Sequence, residues 1–436
     1  MNTVRTDSAI SRELEAIVGS AHIQQGVGEV GGMPLPNPAD IVEPGGDEEI
    51  AAILRIANER GLVVVPAGGC TSQTLGRVPH RVDIVLKTTR LAAVEHYDPG
   101  DLTIGVQAGA RVFDVLGLVA SNRQLLPLDP PALNARTIGG ALATAAHGPL
   151  RHRFGGVREF CVGLRYVTAD GTIAKAGGKV VKNVAGYDVT KLMIGSHGTL
   201  AVLTAANFRL FPAPRRTQTF VCSFESVTDL VGFRDRLVAS PLAPFAVELL
   251  SPEAARSVEL ESAWTLLVQA GGSELVLARY RRELGEAAGR VIEGESEPAL
   301  WHSVREHARA VAARNPLSMV VSVSLPLASV HNCLQTAQKI ADSGGYSFAC
   351  VGCAHGALSL IFEPKDAQSP ASYAGVIAQL RSALPPDASA VVTHCATDLK
   401  NDIDIWGRTA TDLPMMQAVK RALDPKDILN RGRYLL

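Results

Sequence analysis

Apolar residues recur along this chain with two different periods, and the switches between them mark its elements. Ile50, Ile53, Leu54 and Ala57 fall at helical spacing behind Glu43-Pro44-Gly45-Gly46-Asp47. That spacing predicts a helix with Asp47 as its N-cap and Gly61 as its stop. Val63-Val64-Val65 then reads as a buried strand, and Pro66-Ala67-Gly68-Gly69-Cys70-Thr71-Ser72 as a turn almost without side chains. Asp83–Lys87 and Leu102–Val106 are strand-like, and a short helix runs from Arg111 to about Asn122. Asp188–Ile194 has a short helical pattern, and Gly198–Thr204 reads as a strand entered from a glycine turn.

Beyond Pro212, Pro214, Arg215 and Arg216 the glycine content falls, and strand and helix patterns alternate. Thr219–Phe224, Trp264–Gln269, Met319–Leu325, Ser347–Val351, Ala357–Phe362 and Ala390–His394 are predicted strands, with helices such as Leu275–Ala288 and Leu300–Ala313 between them. This second part is expected to be a separate α+β cap. Leu423–Leu436 is a turn-rich closing segment. Residues 20–32 hold a decoy: Gly26-Val27-Gly28-Glu29-Val30-Gly31 matches the G-x-G-x-x-G fingerprint. Pro34, Pro36 and Pro38 follow where that fingerprint requires a helix, so the segment reads as a loop.

Composition narrows the classes. The chain has 436 residues, 47% apolar and 19% charged, which fits a folded protein of two or three domains. A formal net charge of −1 supplies no broad field for nucleic acid or anionic membrane. No apolar run reaches bilayer length and the N-terminal residues are polar, so a soluble, cytoplasmic protein is expected. Seven scattered cysteines suit reduced thiols better than a disulfide framework.

Three sparse segments carry the candidate chemistry. In the first, Gly68 and Gly69 let another group approach the backbone, successive amides form a concave anion site, and Thr71 and Ser72 add hydroxyl donors. A phosphate or pyrophosphate is the natural guest, although strand–Pro–Gly–Gly is also an ordinary tight turn. The second is Leu128-Asp129-Pro130-Pro131 with Thr137-Ile138-Gly139-Gly140-Ala141-Leu142-Ala143-Thr144-Ala145-Ala146-His147-Gly148. Its small side chains would let a flat ring or a pyrophosphate lie against backbone, or let a helix pack closely on a sheet. The third joins Lys179–Asp188 to Gly195-Ser196-His197-Gly198-Thr199-Leu200-Ala201-Val202-Leu203-Thr204.

In this order and spacing the segments resemble the FAD-binding domain of the vanillyl-alcohol oxidase and p-cresol methylhydroxylase family. Its P-x-G-G-G-T-S loop is similar to Pro66–Ser72, with Cys70 at the third glycine, a change that keeps the amide contacts if φ there is negative. Its D-P turn is similar to Asp129-Pro130, its T-[IVL]-G-G segment to Thr137–Gly140, and its G-S-x-G-T-L-G-[VI]-[IL]-T motif to Gly195–Thr204, with Ala201 for a glycine. The closing D-P…N-P-G-[KR] resembles Asp424-Pro425 through Asn430-Arg431-Gly432-Arg433. Within the family, Val180–Asp188 and the run from Gly148-Pro149 through Arg151, Arg153 and Gly156–Phe160 are similar to FAD-binding subunits of bacterial glycolate oxidases.

The resemblance implies an α+β fold: an N-terminal segment 1–37, a two-part FAD-binding domain 38–212, an α+β cap 213–412, and a C-terminal segment 413–436 returning to the FAD domain. It implies FAD held by Pro66, Ala67, Gly68, Gly69, Cys70, Thr71 and Ser72 at the pyrophosphate. Leu128, Asp129, Thr137, Ile138, Gly139, Gly140, Ala143, Thr144 and Gly148 would line it, with Gly198, Thr199 and Val202 on the adenine side. Covalent attachment of the flavin is not supported, since no histidine sits in the Pro66–Ser72 loop; Cys70 and His147 stay open as alternatives.

The implied reaction takes a small 2-hydroxy acid to a 2-oxo acid. It needs a cation for the carboxylate, assigned to Arg153 with Arg151 next, and a base for the hydroxyl proton, assigned to His394. Each has a structural alternative, a surface or phosphate-paired arginine and a histidine at a strand end. No metal is assigned: the histidines are dispersed, and Cys350-Val351-Gly352-Cys353-Ala354-His355 reads as alternate residues of a half-buried strand, without further ligands at matching spacing. The resemblance implies a second flavoprotein subunit and an iron–sulfur subunit as partners. A self-sufficient dehydrogenase of the D-lactate type and a flavin-carrying scaffold are the alternatives.

Overall fold

The computed structural model describes residues 8–178, 187–366, 372–407 and 411–435. Lys179–Gly186, which the sequence reading placed in the third segment, lies outside them. Two compact units emerge, one from residues up to 147, 156–213 and 409 onward, the other from 148–155 and 214–408.

In the first unit β1 (Ile23–Val30), β2 (Met33–Val42), β3 (Val64–Ala67) and β4 (Ile84–Lys87) form a sheet in the order β1-β2-β4-β3. The strands β5 (Val94–Asp98), β6 (Thr103–Gln107), β8 (Cys161–Val167), β9 (Ile173–Gly177) and β10 (Val202–Arg209) form a second, ordered β5-β6-β10-β8-β9. The short β7 (Gln124–Leu125) and β11 (Phe211–Pro212) pair with each other. The helix Asp47–Arg60 carries Asp47, Glu48 and Glu49 in its first turn and Arg60 in its last, which suits its dipole. Gly61, at φ 64°, closes it. Its N-cap is Gly46, so Asp47 is the first helical residue and not the cap. Ile50, Ile53, Leu54 and Ala57 pack with Leu14, Val64, Ile84 and Leu86 in one apolar core.

Two expectations are corrected here. Residues 23–30 are not a loop but β1, the outer strand of a hairpin with β2. The three prolines fit inside β2 for a positional reason. Asp40 donates its amide toward Asp83 on the β4 side, and Pro34, Pro36 and Pro38 are in phase with it. The β4 pairing begins only at Asp40, so the missing donors face no strand. The other correction is that the strand predicted over Gly198–Thr204 starts at Val202; the residues before it form a turn.

The second unit holds one antiparallel sheet of eight strands: β12 (Arg216–Phe224), β13 (Ala246–Leu250), β14 (Trp264–Gly272), β15 (Ala288–Ile292), β16 (Met319–Ser324), β17 (Tyr346–Cys353), β18 (Ala357–Pro364) and β19 (Ser389–His394). Their order is β15-β12-β14-β13-β17-β18-β16-β19. The six strands expected here are present. The helix expected over Leu275–Ala288 runs Glu274–Leu284, because Gly285 at φ 56° ends it and Ala288 opens β15. Helices Ser296–Arg314 and Val330–Gly344 bury their apolar stripes. The mixed helices and strands make this an α+β protein. No helix among the described residues is long and apolar enough to cross a membrane.

Candidate FAD-binding site

The glycine turn after β3 is shaped by what it presses against. A Cβ on Gly68 would lie 2.1 Å from Thr137 Oγ1, and one on Gly69 would lie 1.7 Å from the Ala135 carbonyl oxygen. Neither position can carry a side chain while the first two segments touch. Arg136, between those neighbours and itself buried, donates from Nη1 to Ser72 Oγ at 3.2 Å and from Nε to the Pro131 carbonyl at 2.8 Å. Cys70 adopts φ 56°, so the condition of a negative φ is not met: the residue takes the left-handed conformation that a glycine would favour. Among the described residues, the amides of Gly69, Cys70 and Thr71 donate to no protein acceptor. That is the donor set an anion requires.

The second segment is a short helix, Ile138–Ala143, capped by Thr137, whose Oγ1 accepts from the Gly140 amide. The Gly139 amide donates to the Ala108 carbonyl at 2.7 Å, and Thr144 Oγ1 donates to the Gly140 carbonyl at 2.8 Å. The segment's backbone is thus largely occupied within the protein. Ile138 and Leu128 are core residues. Asp129 is buried beside them.

The third segment closes the triangle. Gly195 and His197 donate their amides to the carbonyls of Leu142 and Ala143 at 2.9 and 2.8 Å. Gly198, at φ 68°, would place a Cβ 3.4 Å from Pro66 Cγ. Pro66, Gly68, Thr137, Ala143 and Gly198 are therefore linked through direct contacts within one unit. Thr199 is buried, with its hydroxyl donated to the Ser196 carbonyl, and Val202 belongs to the core, so their side chains face protein. Gly148 groups with the second unit, where its carbonyl accepts the Arg151 amide.

The closing segment fastens all this, and its side chains were not assigned any role from sequence. Asn430 Nδ2 donates to the His197 carbonyl at 2.6 Å. Lys420 Nζ donates to the carbonyls of Thr199 and Leu429 at 2.9 and 3.0 Å, with Asp424 beside it at 2.6 Å. Arg433 donates to the carbonyls of Gln73 and Leu75 and to Gln73 Oε1, and burial pulls its pKa down to about 10. The D-P…N-x-G-R pattern was the available signal, but a pattern does not say which carbonyls its side chains reach.

Residues 38–177 match the family model of an FAD binding domain, and 213–385 with 404–434 match the C-terminal domain of FAD linked oxidases. The chain belongs to the FAD-linked oxidase family. The glycolate oxidase subunit GlcD of Bacillus subtilis is 26% identical over 91% of this chain and 88% of that one. D-2-hydroxyglutarate dehydrogenase of Xanthomonas citri is 29% identical over 91% and 89%. A p-cresol methylhydroxylase structure superposes with a TM-score of 0.75 at 15% identity, covering 98% of this chain and 96% of the other, which fixes the fold. This FAD-linked oxidase is thus an FAD-dependent oxidoreductase.

Its two expected catalytic side chains do not meet. Arg153 donates to the Ala243 carbonyl at 2.6 Å and lies over the Phe245 ring at 4.4 Å, beside the start of β13. His394 ends β19, opposite Val320. Four strand spacings separate β13 from β19 in the sheet, about 19 Å. Burial lowers the His394 pKa, with Lys400 adding to the effect. Its Nε2 is buried without a hydrogen-bond partner among the described residues.

Proposed function

We propose that this FAD-linked oxidase converts a small 2-hydroxy acid to the 2-oxo acid. The observation that carries the reading is the contact triangle of Pro66–Ser72, Thr137–Ala143 and Gly195–Gly198, with free amides at its first corner. Glycolate and D-2-hydroxyglutarate, the 2-hydroxy acids in the names of the two relatives, set the substrate class. Bound FAD supplies a two-electron acceptor for the substrate's α-hydrogen. The amides of Gly69, Cys70 and Thr71 would hold the diphosphate, and Arg136 would orient Ser72 toward it. Gly139, Gly140, Ala143 and Thr144 would leave room for the flat part of the cofactor, with Gly198 and the backbone of Thr199 on the adenine side.

His394 is assigned as the acceptor of the hydroxyl proton. Burial keeps its ring neutral near pH 7, and Nε2 has no competing partner. Arg153 is reassigned from carboxylate binding to holding residues 151–154 against Ala243 and Phe245. The direct test is anaerobic mixing of the FAD-loaded chain with glycolate, D-lactate or D-2-hydroxyglutarate. Loss of flavin absorbance with at least one acid, slowed by His394→Asn without loss of FAD, is expected; an unchanged spectrum with all three would exclude the reading for the isolated chain.

A second reading has the chain acting as one subunit beside a second flavoprotein and an iron–sulfur subunit. The likeness to a protein named as a subunit favours it. Co-purification of those partners, together with flavin reduction only in their presence, is its signature. FAD that stays oxidised while the assembled complex turns over would mark a scaffold instead.

A further inference from the structure

We propose that the β1–β2 hairpin backs the diphosphate turn, with Gly31 at its tip as a positioning residue that keeps Cys70 left-handed. The inference rests on the diphosphate placement proposed above. Gly31 is the last glycine of the G-x-G-x-x-G decoy, which lies outside the three cofactor segments. With Gly32 it makes the two-residue turn of the hairpin, at φ 56° and 78°, a geometry that needs two left-handed residues. A Cβ on Gly31 would lie 2.6 Å from the Cys70 carbonyl oxygen and 2.7 Å from Cys70 Cβ. The tip is therefore in direct contact with the residue whose positive φ shapes the turn.

Both sides of this contact are fixed. Toward the base of the hairpin the buried Asp40 accepts the Ser11 hydroxyl at 2.6 Å and the Gly26 amide at 3.3 Å. At the tip Val30 and Met33 pair with each other and are buried with Val65, Ala67 and Val85. Cys70 packs against the same cluster, and its Sγ donates to the Gly68 carbonyl at 3.5 Å. A non-glycine residue with positive φ persists only where its surroundings hold it there. Successive amides around a left-handed residue converge on one point, so a shift of Cys70 re-aims the amides of Gly69, Cys70 and Thr71 together. Gly31 thus acts on the cofactor through Cys70.

The glycines of the hairpin separate this role from simple backbone strain. Gly26, Gly31 and Gly32 all have positive φ, so alanine strains the chain at each. A Cβ on Gly26 would meet nothing within 4 Å, and one on Gly32 only Thr74 Cγ2 at 3.4 Å, an ordinary contact. Of the three, alanine at Gly31 alone pushes on the turn. The turn gives way because leaving the left-handed conformation relieves Cys70 of its own strain.

The test titrates FAD into the full chain after the flavin has been stripped. Gly31→Ala should weaken FAD binding by about 10–100-fold, the loss of one hydrogen bond to a charged group, while Gly26→Ala and Gly32→Ala stay within about twofold of the parent. At saturating FAD, the phosphorus-31 resonances of the diphosphate should move in Gly31→Ala and stay in place in the other two. Affinity unchanged in Gly31→Ala, or weakened as much in Gly26→Ala, would overturn the proposal. Hydrogen exchange in the parent needs no variant, so a misfolded substitution does not protect the idea: FAD should slow exchange at residues 30–33 as well as 69–71. Protection of 69–71 alone would overturn this inference and leave the diphosphate placement standing, whereas protection of neither would remove that placement too.

Discussion

Arg136 Nη1 donates to Ser72 Oγ at 3.2 Å, which makes a buried guanidinium the link between the first two cofactor segments. A hydrogen bond to a charged group contributes about 1.5–3 kcal/mol. Arg136→Ala should therefore weaken FAD binding by about 10–100-fold, measured by quenching of flavin fluorescence on titration into stripped protein. Arg136→Ala binding FAD as tightly as the parent would show that the link is only structural.

Cys70 occupies a left-handed backbone position at φ 56°. A non-glycine residue there costs roughly 1–2 kcal/mol, and a glycine removes that cost while losing a small apolar contact. Cys70→Gly should raise the midpoint of thermal unfolding, by a few degrees for a gain of about 1 kcal/mol. Cys70→Val, with its branched Cβ, should lower it.

Arg433 is the main clamp on the residues that follow the glycine turn. Removing a buried side chain that satisfies the carbonyls of Gln73 and Leu75 leaves those acceptors unpaired. Arg433→Ala should cost about 3 kcal/mol or more in urea unfolding and should release FAD on gel filtration. Arg433→Lys should recover only part of the loss, because one ammonium cannot reproduce the forked donor pattern.

His307 gives a pH signature independent of the cofactor. Burial lowers its pKa to about 4, and its Nε2 lacks a partner among the described residues while Nδ1 meets Ser257 Oγ at 2.8 Å. Between about pH 6.5 and 4 the unfolded chain binds a proton that the folded chain does not, so stability rises with pH through that window. The contribution is complete above pH 6.5 and lost as pH falls toward 4, with a size of about 3 kcal/mol. His307→Gln should flatten that part of the urea-unfolding profile.

What the sequence disclosed and what it hid follow from locality. The glycine turns were legible because a residue without a side chain is informative by itself, and the cap strands because β-branched runs are. Ala246–Leu250 was missed: five buried residues with a glutamate among them carry no alternation that separates strand from helix. The prolines of residues 34–38 misled because their tolerance depends on where β4 begins. Arg136 and Arg433 make contacts between distant segments, which no local period encodes.

Pro66–Ser72 is proposed to hold the diphosphate of FAD against the other two segments. A crystal structure of the FAD-loaded chain decides it. Phosphate oxygens within hydrogen-bond distance of the amides of Gly69, Cys70 and Thr71 are predicted. A diphosphate bound away from that turn, with those three amides facing solvent, would contradict it.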